Sequence, residues 1–323
     1  MNAALPSTTT PQVNEGRSPA RHWVIAYAAP EPEALRAAMN NALETLYLPN
    51  LQKLLSRMAC VSKSSTAPEG VSAFLMPHES APQLLGAKPS LGKEAIMTPC
   101  HWQVGMNEVT LLEPQELALN EQESKQLLSA IQPYFEEDGL QVVYESPLVW
   151  RVKGDLLDGL PLASIDRVVG QNIKPWMPEH QRAKTLQRLQ SEMQMLLYQH
   201  PVNDERSLKG RWTVNSFWLH RSLEQLYPDA SDLNVALDLR ETMQASNAKL
   251  WQQAWEHLDA TLCQSLSQAL DQNHDVSLTL CSETSWRHYR PQPVSWLNKL
   301  HRLIQPVSVI KELRALSSRV SAP

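Results

Sequence analysis

Apolar positions along this chain follow two periods that alternate, and most of the predicted elements come from that alternation. Trp23 to Ala29 (WVIAYAA) is a short apolar run of the kind a buried strand shows. Pro30 and Pro32 end it, and Pro32 suits the first turn of a following helix. From Glu33, Leu35, Met39, Ala42, Leu43 and Leu46 recur at helical spacing. Pro49 interrupts, and Leu51, Leu54, Leu55 and Met58 predict a second short helix. Residues 62–98 are rich in Ser, Pro, Gly and Ala and read as an irregular connection with short helical pieces. Pro99 to Leu112 holds the next strands. A helix follows over Asn120 to Phe135, where Asn120 and Glu123 form an N-cap pair and Pro133 kinks or ends it. Gln141 to Val152 reads as a hairpin about Ser146-Pro147. Leu160 to Val169 fits neither period.

The helix from about Glu179 to Gln199 has the clearest pattern, with Leu186, Leu189, Met193, Leu196 and Leu197 on one face and Pro201 as its stop. Thr213 to Leu219 reads as a strand. Asn247 to Asp271 is a long helix with Leu250, Ala254, Leu258, Leu262 and Leu266 in phase. Val276, Leu278 and Leu280 alternate with polar residues as in a strand, and Trp296 to Val320 is mostly helical. Strand followed by helix at the start points to an α/β layer. The fold class is therefore α/β or α+β, a mixed sheet flanked by helices. It forms a single compact domain over 21–323 after a disordered tail over 1–20, with sub-lobes 21–135 and 136–323 as one division.

Composition changes this picture little. At 323 residues with 42% hydrophobic and 20% charged side chains, the chain can bury a sizeable core. A formal net charge of −5 gives no polycationic footprint, so no nucleic-acid partner is expected. No apolar run is long enough to span a bilayer, so no membrane partner is expected either. The N-terminal segment lacks the pattern of a secretory signal. The four cysteines show no paired or metal-like spacing, which fits reduced thiols and a cytoplasmic location. Ten Trp against three Phe is an unusual ratio, and each buried indole needs a partner for its N–H. Core and rim packing accounts for most of them; the alternative is that one or two line a pocket.

Familiar reaction signatures are absent. There is no GxGxxG and no GxSxG. GAKPSLGK (Gly86 to Lys93) has one residue too many between its glycines, and Glu94 stands where a phosphate loop needs Ser or Thr. None of the ten histidines has another within i+2 to i+5. All ten glycines lie at or before Gly210. Four polar clusters remain. Cys100 and His101 are adjacent on a strand and point to opposite faces, so a thiolate pair is disfavoured and His101 reads as a hydrogen-bonded sheet-edge residue. Asp166-Arg167 can orient a substrate anion or form a structural ion pair. His200, Asn203, Asp204, Arg206 and Lys209 follow the best helix; its last carbonyls can engage His200, and Asn203 and Asp204 are turn formers. Asn215-Ser216 sits in an aromatic strand where Asn is disfavoured, so Asn215 needs a buried hydrogen-bond partner or a ligand.

Three blocks carry a family resemblance: TPCHWQVGMNEVTLLEP (Thr98 to Pro114), LASIDRVVGQNIKPWMP (Leu162 to Pro178), and RLQSEMQMLLYQHPVNDER with WTVNSFWL (Arg188 to Arg206, Trp212 to Leu219). Together they resemble the RpfE-type regulatory proteins of proteobacteria, often labelled cofactor-independent phosphoglycerate mutase. VNSFWL is similar to a strand in archaeal-type phosphoglycerate mutases of the alkaline-phosphatase superfamily. Such enzymes use a Ser nucleophile and two metals held by Asp and His, including a D-x-x-x-H element that this chain lacks. His220-Arg221-Ser222 stands where that pattern has small residues including Gly, which removes backbone freedom at a ligand's approach.

Two functions follow as expectations. The first is a regulatory or ligand- and partner-binding protein with no evident cofactor. It would use a polar site around residues 164–216 that takes a small anionic ligand or a protein partner. Its candidate residues are His101, Asp166, Arg167, His200, Asn203, Asp204, Arg206, Asn215 and Ser216, with charge from Arg167, Arg206 and Lys209. The alternative is a phosphoglycerate mutase-like phosphotransferase, with a divalent metal on Asp166, His200 and Asp204.

Overall fold

A computed structural model of the chain describes residues 22–30, 37–64, 75–85, 87–178, 183–229, 233–291 and 307–317. The expected tail over 1–20, the start of the first helix at Glu33 and the segment from Trp296 to Pro306 lie outside the described residues.

The apolar run predicted as a buried strand is β1 (His22–Ile25). It pairs in parallel with both β9 (Leu233–Ala236) and β10 (Ser277–Cys281). Antiparallel β11 (Trp286–Pro291) and β2 (Met58–Lys63) complete a mixed five-stranded sheet in the order β2-β11-β10-β1-β9. A parallel strand between two neighbours is covered on both faces, which explains an almost continuous apolar run instead of alternation. Against one face pack α1 (Ala37–Glu44), α2 (Pro49–Ser56), the long helix of α10 (Ala248–Leu258) and α11 (Gln264–Asp271), and the C-terminal helix Val309–Ser317.

One π turn, Asp259–Cys263, joins α10 to α11. It turns the Asp259 carboxylate onto the start of α2, where it accepts from the Leu51 N–H (2.6 Å) and from the backbone and side-chain N–H groups of Asn50 (3.1 Å each). Asp259 thus caps from a distance a helix whose own Leu48 cap offers no side-chain acceptor. Pro49 opens that helix, and Met58, expected in it, starts β2.

The middle of the chain builds a second, antiparallel sheet in the order β6-β7-β3-β8: β3 (Glu94–Cys100), β6 (Gln141–Ser146), β7 (Val149–Lys153) and β8 (Ser216–His220). Helices α4 (Glu121–Glu137), α6 (Ala183–Tyr198) and α7 (Pro201–Leu208) close its core. Between β3 and α4 a hairpin, β4 (Trp102–Val104) and β5 (Val109–Leu111), projects from the sheet. The second half is an insertion between β2 and β9 of the first, and the two make one compact α/β domain with a mixed sheet flanked by helices. The boundary considered at 135/136 falls inside α4, and β3 pairs across it with β7 and β8, so the two cores partition the chain differently.

Asn120 and Glu123 form the expected reciprocal cap of α4. Pro133 does not end that helix, which runs on to Glu137. Pro133 and Ser129 are both exposed, so the carbonyl freed by the missing N–H faces water. Pro201 is the first residue of α7, so Asn203 and Asp204 are helical and not in a turn. The connection expected over 62–98 holds the end of β2 and the start of β3, strands whose partners lie far away in sequence. Among the described residues, no helix is long and apolar enough to cross a membrane. All four cysteines are free thiols.

A polar chain runs across the other face of the five-stranded sheet. Arg290 Nε–H donates to His288 Nε2 (3.2 Å), which places the proton of neutral His288 on Nδ1. That N–H donates to Thr279 Oγ1 (2.9 Å), whose hydroxyl donates to His22 Nε2 (2.9 Å), and His22 Nδ1–H donates to Ser277 Oγ (3.2 Å). The two imidazoles stack 4.9 Å apart. Burial, and then mutual repulsion and Arg290, push His22 down to about 4; burial and Arg290 push His288 to about 4 as well. An unfolded His takes its proton near 6.5, so between those values the unfolded chain binds more protons than the folded one. The contribution of these two imidazoles is therefore full above pH 6.5 and is lost as pH falls toward 4, by an amount on the order of several kcal/mol. Urea unfolding from pH 7.5 to 4.5 should show that decline, and Thr279→Val, which strands both imidazoles, should cost about 1–3 kcal/mol at pH 7.5.

Candidate functional site

The nine candidate residues fall into two places. Seven of them lie in the second half, and five of those stitch it together. His101 Nδ1–H donates to the Thr213 carbonyl (2.8 Å), and its ring lies 4.9 Å from that of Trp212. Cys100 beside it is fully buried, and burial pushes its thiol well above the ordinary range. Asn215 accepts from the Trp102 N–H (2.7 Å) and donates to the Trp102 carbonyl (2.9 Å), so its amide replaces a rung of backbone ladder just before β8. Asn215 thus lies just outside the strand expected to hold it, and its partner is protein backbone. Asn203 donates to the carbonyls of Leu197 and Val214 (2.7 Å each) and accepts from the Val214 N–H (2.9 Å). That ties α6, α7 and the approach to β8. Ser216 is buried with no partner for its hydroxyl.

His200 caps the N-terminus of α7 by accepting from the Val202 N–H (3.3 Å), instead of serving the end of α6. Asp204 is exposed in the first turn of α7. Arg206 is fully buried and binds the Trp212 carbonyl (2.8 Å), Glu123 (2.7 Å) and the Leu117 carbonyl. Lys209 pairs with Glu205 on the surface. Arg206 and Lys209 are thus engaged within their own half, away from Asp166. The expected metal set is not brought together, because Asp166 is held by Arg240 and Tyr27 while His200 and Asp204 lie at the start of α7. Among the described residues, no three His, Cys, Asp or Glu side chains are placed to hold a metal ion.

Asp166 and Arg167 lie on the short helix α5 (Ile165–Val168), where the two halves meet. They do not pair with each other. Arg240, at the start of α9 (Arg240–Gln244) just after β9, grips Asp166 with two nitrogens, Nε at 2.8 Å and Nη2. The Tyr27 hydroxyl donates to the same carboxylate (2.7 Å). Burial alone would raise the Asp166 carboxyl, but Arg240 and the Tyr27 hydroxyl outweigh it and hold it below the usual value. Burial and then Asp166 push the Tyr27 phenol far up, so it stays a hydrogen-bond donor. Arg167 donates to the carbonyls of Leu75 and Glu283 in the first half.

Tyr27 follows the carboxyl end of β1, where α/β sheets commonly receive ligands. Its φ is +55°, a conformation costly for a bulky side chain. Its neighbours pin it there. The Ala26 N–H donates to the Ala236 carbonyl (3.1 Å) and the Ala28 N–H to the Cys281 carbonyl (2.7 Å). The Trp251 and Trp255 indoles donate to the carbonyls of Tyr27 (3.3 Å) and Ala28 (3.2 Å). Two of the many tryptophans thus serve the strained turn.

Three more side chains surround the pair. The His78 ring, on α3 (Pro77–Ser80), lies 5.5 Å from that of Tyr27, and burial pushes it to about 4. Glu79 accepts from the Met76 N–H (2.8 Å) and the Ser164 hydroxyl (2.9 Å); burial raises it to about 7. Glu113 follows β5, which bridges to Val169 and Asn172 just beyond α5 and so brings Glu113 within electrostatic reach of Asp166 and Arg240. Burial raises its carboxyl. His78 Nδ1 and Ser80 Oγ are buried without a hydrogen-bond partner, while Arg240 and the Gln115 N–H offset part of the rise that burial gives the Glu113 carboxyl.

Tyr27, His78, Glu79, Glu113 and Arg240 were not singled out by sequence reasoning. Tyr27 reads as one more apolar position in a strand, and Arg240 meets Asp166 across 74 residues. The one local signal was Glu113-Pro114, a charged residue closing the hairpin block.

No protein-family model and no curated protein matches this chain. Among solved structures it is similar to a cofactor-independent phosphoglycerate mutase from Thermoplasma acidophilum DSM 1728, 13% identical over 92% of this chain and 99% of that one, with a TM-score of 0.35. It is also similar to the PH0037 protein from Pyrococcus horikoshii, 11% identical over 93% of this chain and 98% of that one, with a TM-score of 0.44. At these values neither likeness bears on activity or on the role of any residue. The regulatory-family resemblance rests on the three sequence blocks alone.

Asp166→Ala should leave Arg240 buried without its counter-charge and cost about 3–5 kcal/mol in chemical denaturation. The double change Asp166→Leu with Arg240→Met should recover most of that loss. A double variant as unstable as the single one would show that the tie is not what holds Arg240.

Proposed function

We propose that this protein binds a small polar ligand at the boundary where its two halves meet, beside Tyr27, Asp166 and Arg240, and acts by binding. The supporting observation is that His78 Nδ1 and Ser80 Oγ are buried without partners on the helix beside Tyr27, a strained residue at the carboxyl end of β1, with the buried Glu113 carboxylate in electrostatic reach of Asp166 and Arg240. An unmet buried donor or acceptor costs about 1–3 kcal/mol, so a group of them in one place calls for a bound molecule. Both halves contribute side chains, so an occupant would alter how they are tied, which suits a regulatory role. A metal-dependent phosphotransferase has less support, because Asp166 is committed to Arg240 and Tyr27 and is not grouped with His200 and Asp204.

Binding groups kept at a cost to stability separate this reading from a structural one. In the ligand-free protein, Glu113→Met and His78→Phe should each raise unfolding free energy by about 1–2 kcal/mol, since each removes a buried polar group whose hydrogen-bonding capacity is not filled, while keeping bulk. A loss of more than about 1 kcal/mol in both would show that these groups hold the fold together, and would sink the binding reading.

A further inference from the structure

The ties described above leave the inserted half from one short stretch of chain. Ser164, the N-cap residue of α5, gives its hydroxyl to Glu79 (2.9 Å). Asp166 is held by Arg240 and Tyr27, and Arg167 donates to the carbonyls of Leu75 and Glu283. The two main apolar cores are separate clusters. α5 has four residues, and a helix that short keeps its shape only while docked. The orientation of the inserted half therefore rests on one small polar joint.

The joint treats its two carboxylates unequally. Asp166 has a two-pronged cation and a phenol, which together outweigh burial and keep it ionised. Glu79, on α3, accepts from the Met76 N–H of its own helix (2.8 Å) and from Ser164 across the boundary. The charged and titratable groups facing it are Asp166 and Arg167 of α5, Tyr27 after β1 and Tyr227 beyond β8, with His78 beside it on α3. Arg167 is the cation among them, and it is drawn to the Leu75 and Glu283 carbonyls. Burial raises both phenols, so they stay neutral, and it lowers His78 to about 4, so that ring is neutral as well near pH 7. Burial, reinforced by Asp166, raises Glu79 to about 7 against the pull of the Met76 N–H, the Ser164 hydroxyl and Arg167.

We infer that Glu79 makes this joint respond to pH: a protonated Glu79 favours the docked halves, and its ionisation favours their parting at α5. Parting keeps the Met76 bond, which lies within α3, and exchanges the Ser164 hydroxyl and the nearby Asp166 charge for water. In the open joint Glu79 returns to the ordinary value of 4.5, so between 4.5 and about 7 the docked form binds more protons than the open one. Docking is thus strongest at the acid end of that range, weakens as pH rises toward 7 and is constant above it. The sign is opposite to that of the His22–His288 pair. The inference stands on the joint alone and does not rest on the binding reading above.

Amide hydrogen exchange on the full chain tests this at Arg167 and Val169, whose N–H groups bond to the Ser164 and Ile165 carbonyls of the short helix. After correction for the intrinsic effect of pH on exchange, their protection should rise about tenfold from pH 7.5 to pH 6. Glu79→Gln, which is neutral at every pH and keeps the shape, should hold the higher protection at both. Protection that does not change with pH, or that changes alike in Glu79→Gln, would overturn the inference. So would α5 amides that exchange only together with those of β3, since the halves would then not part before global unfolding. If Glu79→Gln does not fold, Ser164→Ala decides. It removes a hydroxyl that steadies the ionised carboxylate, so the rise in protection should begin at a higher pH, and an unmoved onset would overturn the inference.

Discussion

The fold depends on one buried ionic tie between its halves, in which Asp166 is held by Arg240 and Tyr27. The second half enters the first as an insertion, with chain continuity only through the segments on either side of residues 94–220. Each half has its own apolar core, and the cores are separate clusters. Their relative position must therefore be specified by contacts at the boundary, and there the interactions are polar. Asp166 reaches back to a strand end and a helix start of the first half, and Arg167 reaches the carbonyls of Leu75 and Glu283. Apolar contact alone is tolerant of sliding. A two-pronged guanidinium–carboxylate pair is directional, and it fixes both distance and orientation.

Within the second half, polar side chains replace backbone pairing where the chain leaves regular structure. Asn215 completes a rung beside Trp102, and Asn203 closes the gap between α6, α7 and Val214. Arg221 is the extreme case. Its guanidinium donates to the carbonyls of Gly92 (2.8 Å), Glu94 (3.2 Å), Leu157 (2.8 Å) and Leu160 (2.7 Å). Burial lowers it to about 10, yet it stays charged at neutral pH. It gathers loops that would otherwise leave buried carbonyls unmet. Ser222 next to it caps α8 (Leu223–Leu226) in a reciprocal pair with Gln225. His220-Arg221-Ser222 is therefore a structural clamp.

Local pattern revealed what depends on local physics. The α4 cap, the β6–β7 hairpin, the apolar face of α6 and the buried run of β1 are written in neighbouring residues and emerge from spacing alone. β2 was missed because its register comes from β11, more than 200 residues away. The candidate site divided along the same line. Asn203 and Arg206 were visible as polar residues and Asn215 as a departure from local rules, but such signs only require that a partner exist. Here each partner proved to be backbone or a neighbouring carboxylate. Asp166 was visible as a charge, yet its true counter-ion lies in the other half and was not.

The strained turn at Tyr27 shows why the site could not be read from one segment. A tyrosine at positive φ persists only when its surroundings over-determine it. Here strands on either side fix the flanking amides, two indoles from α10 fix the carbonyls, and Asp166 from the inserted half fixes the hydroxyl. A glycine would adopt the same backbone without cost, but it would carry no hydroxyl to the boundary. The strain is the consequence of sending a side chain from the end of a buried parallel strand into the other half. Against that rigid wall, the unmet Nδ1 of His78 stands out as a group that the fold has positioned but not satisfied.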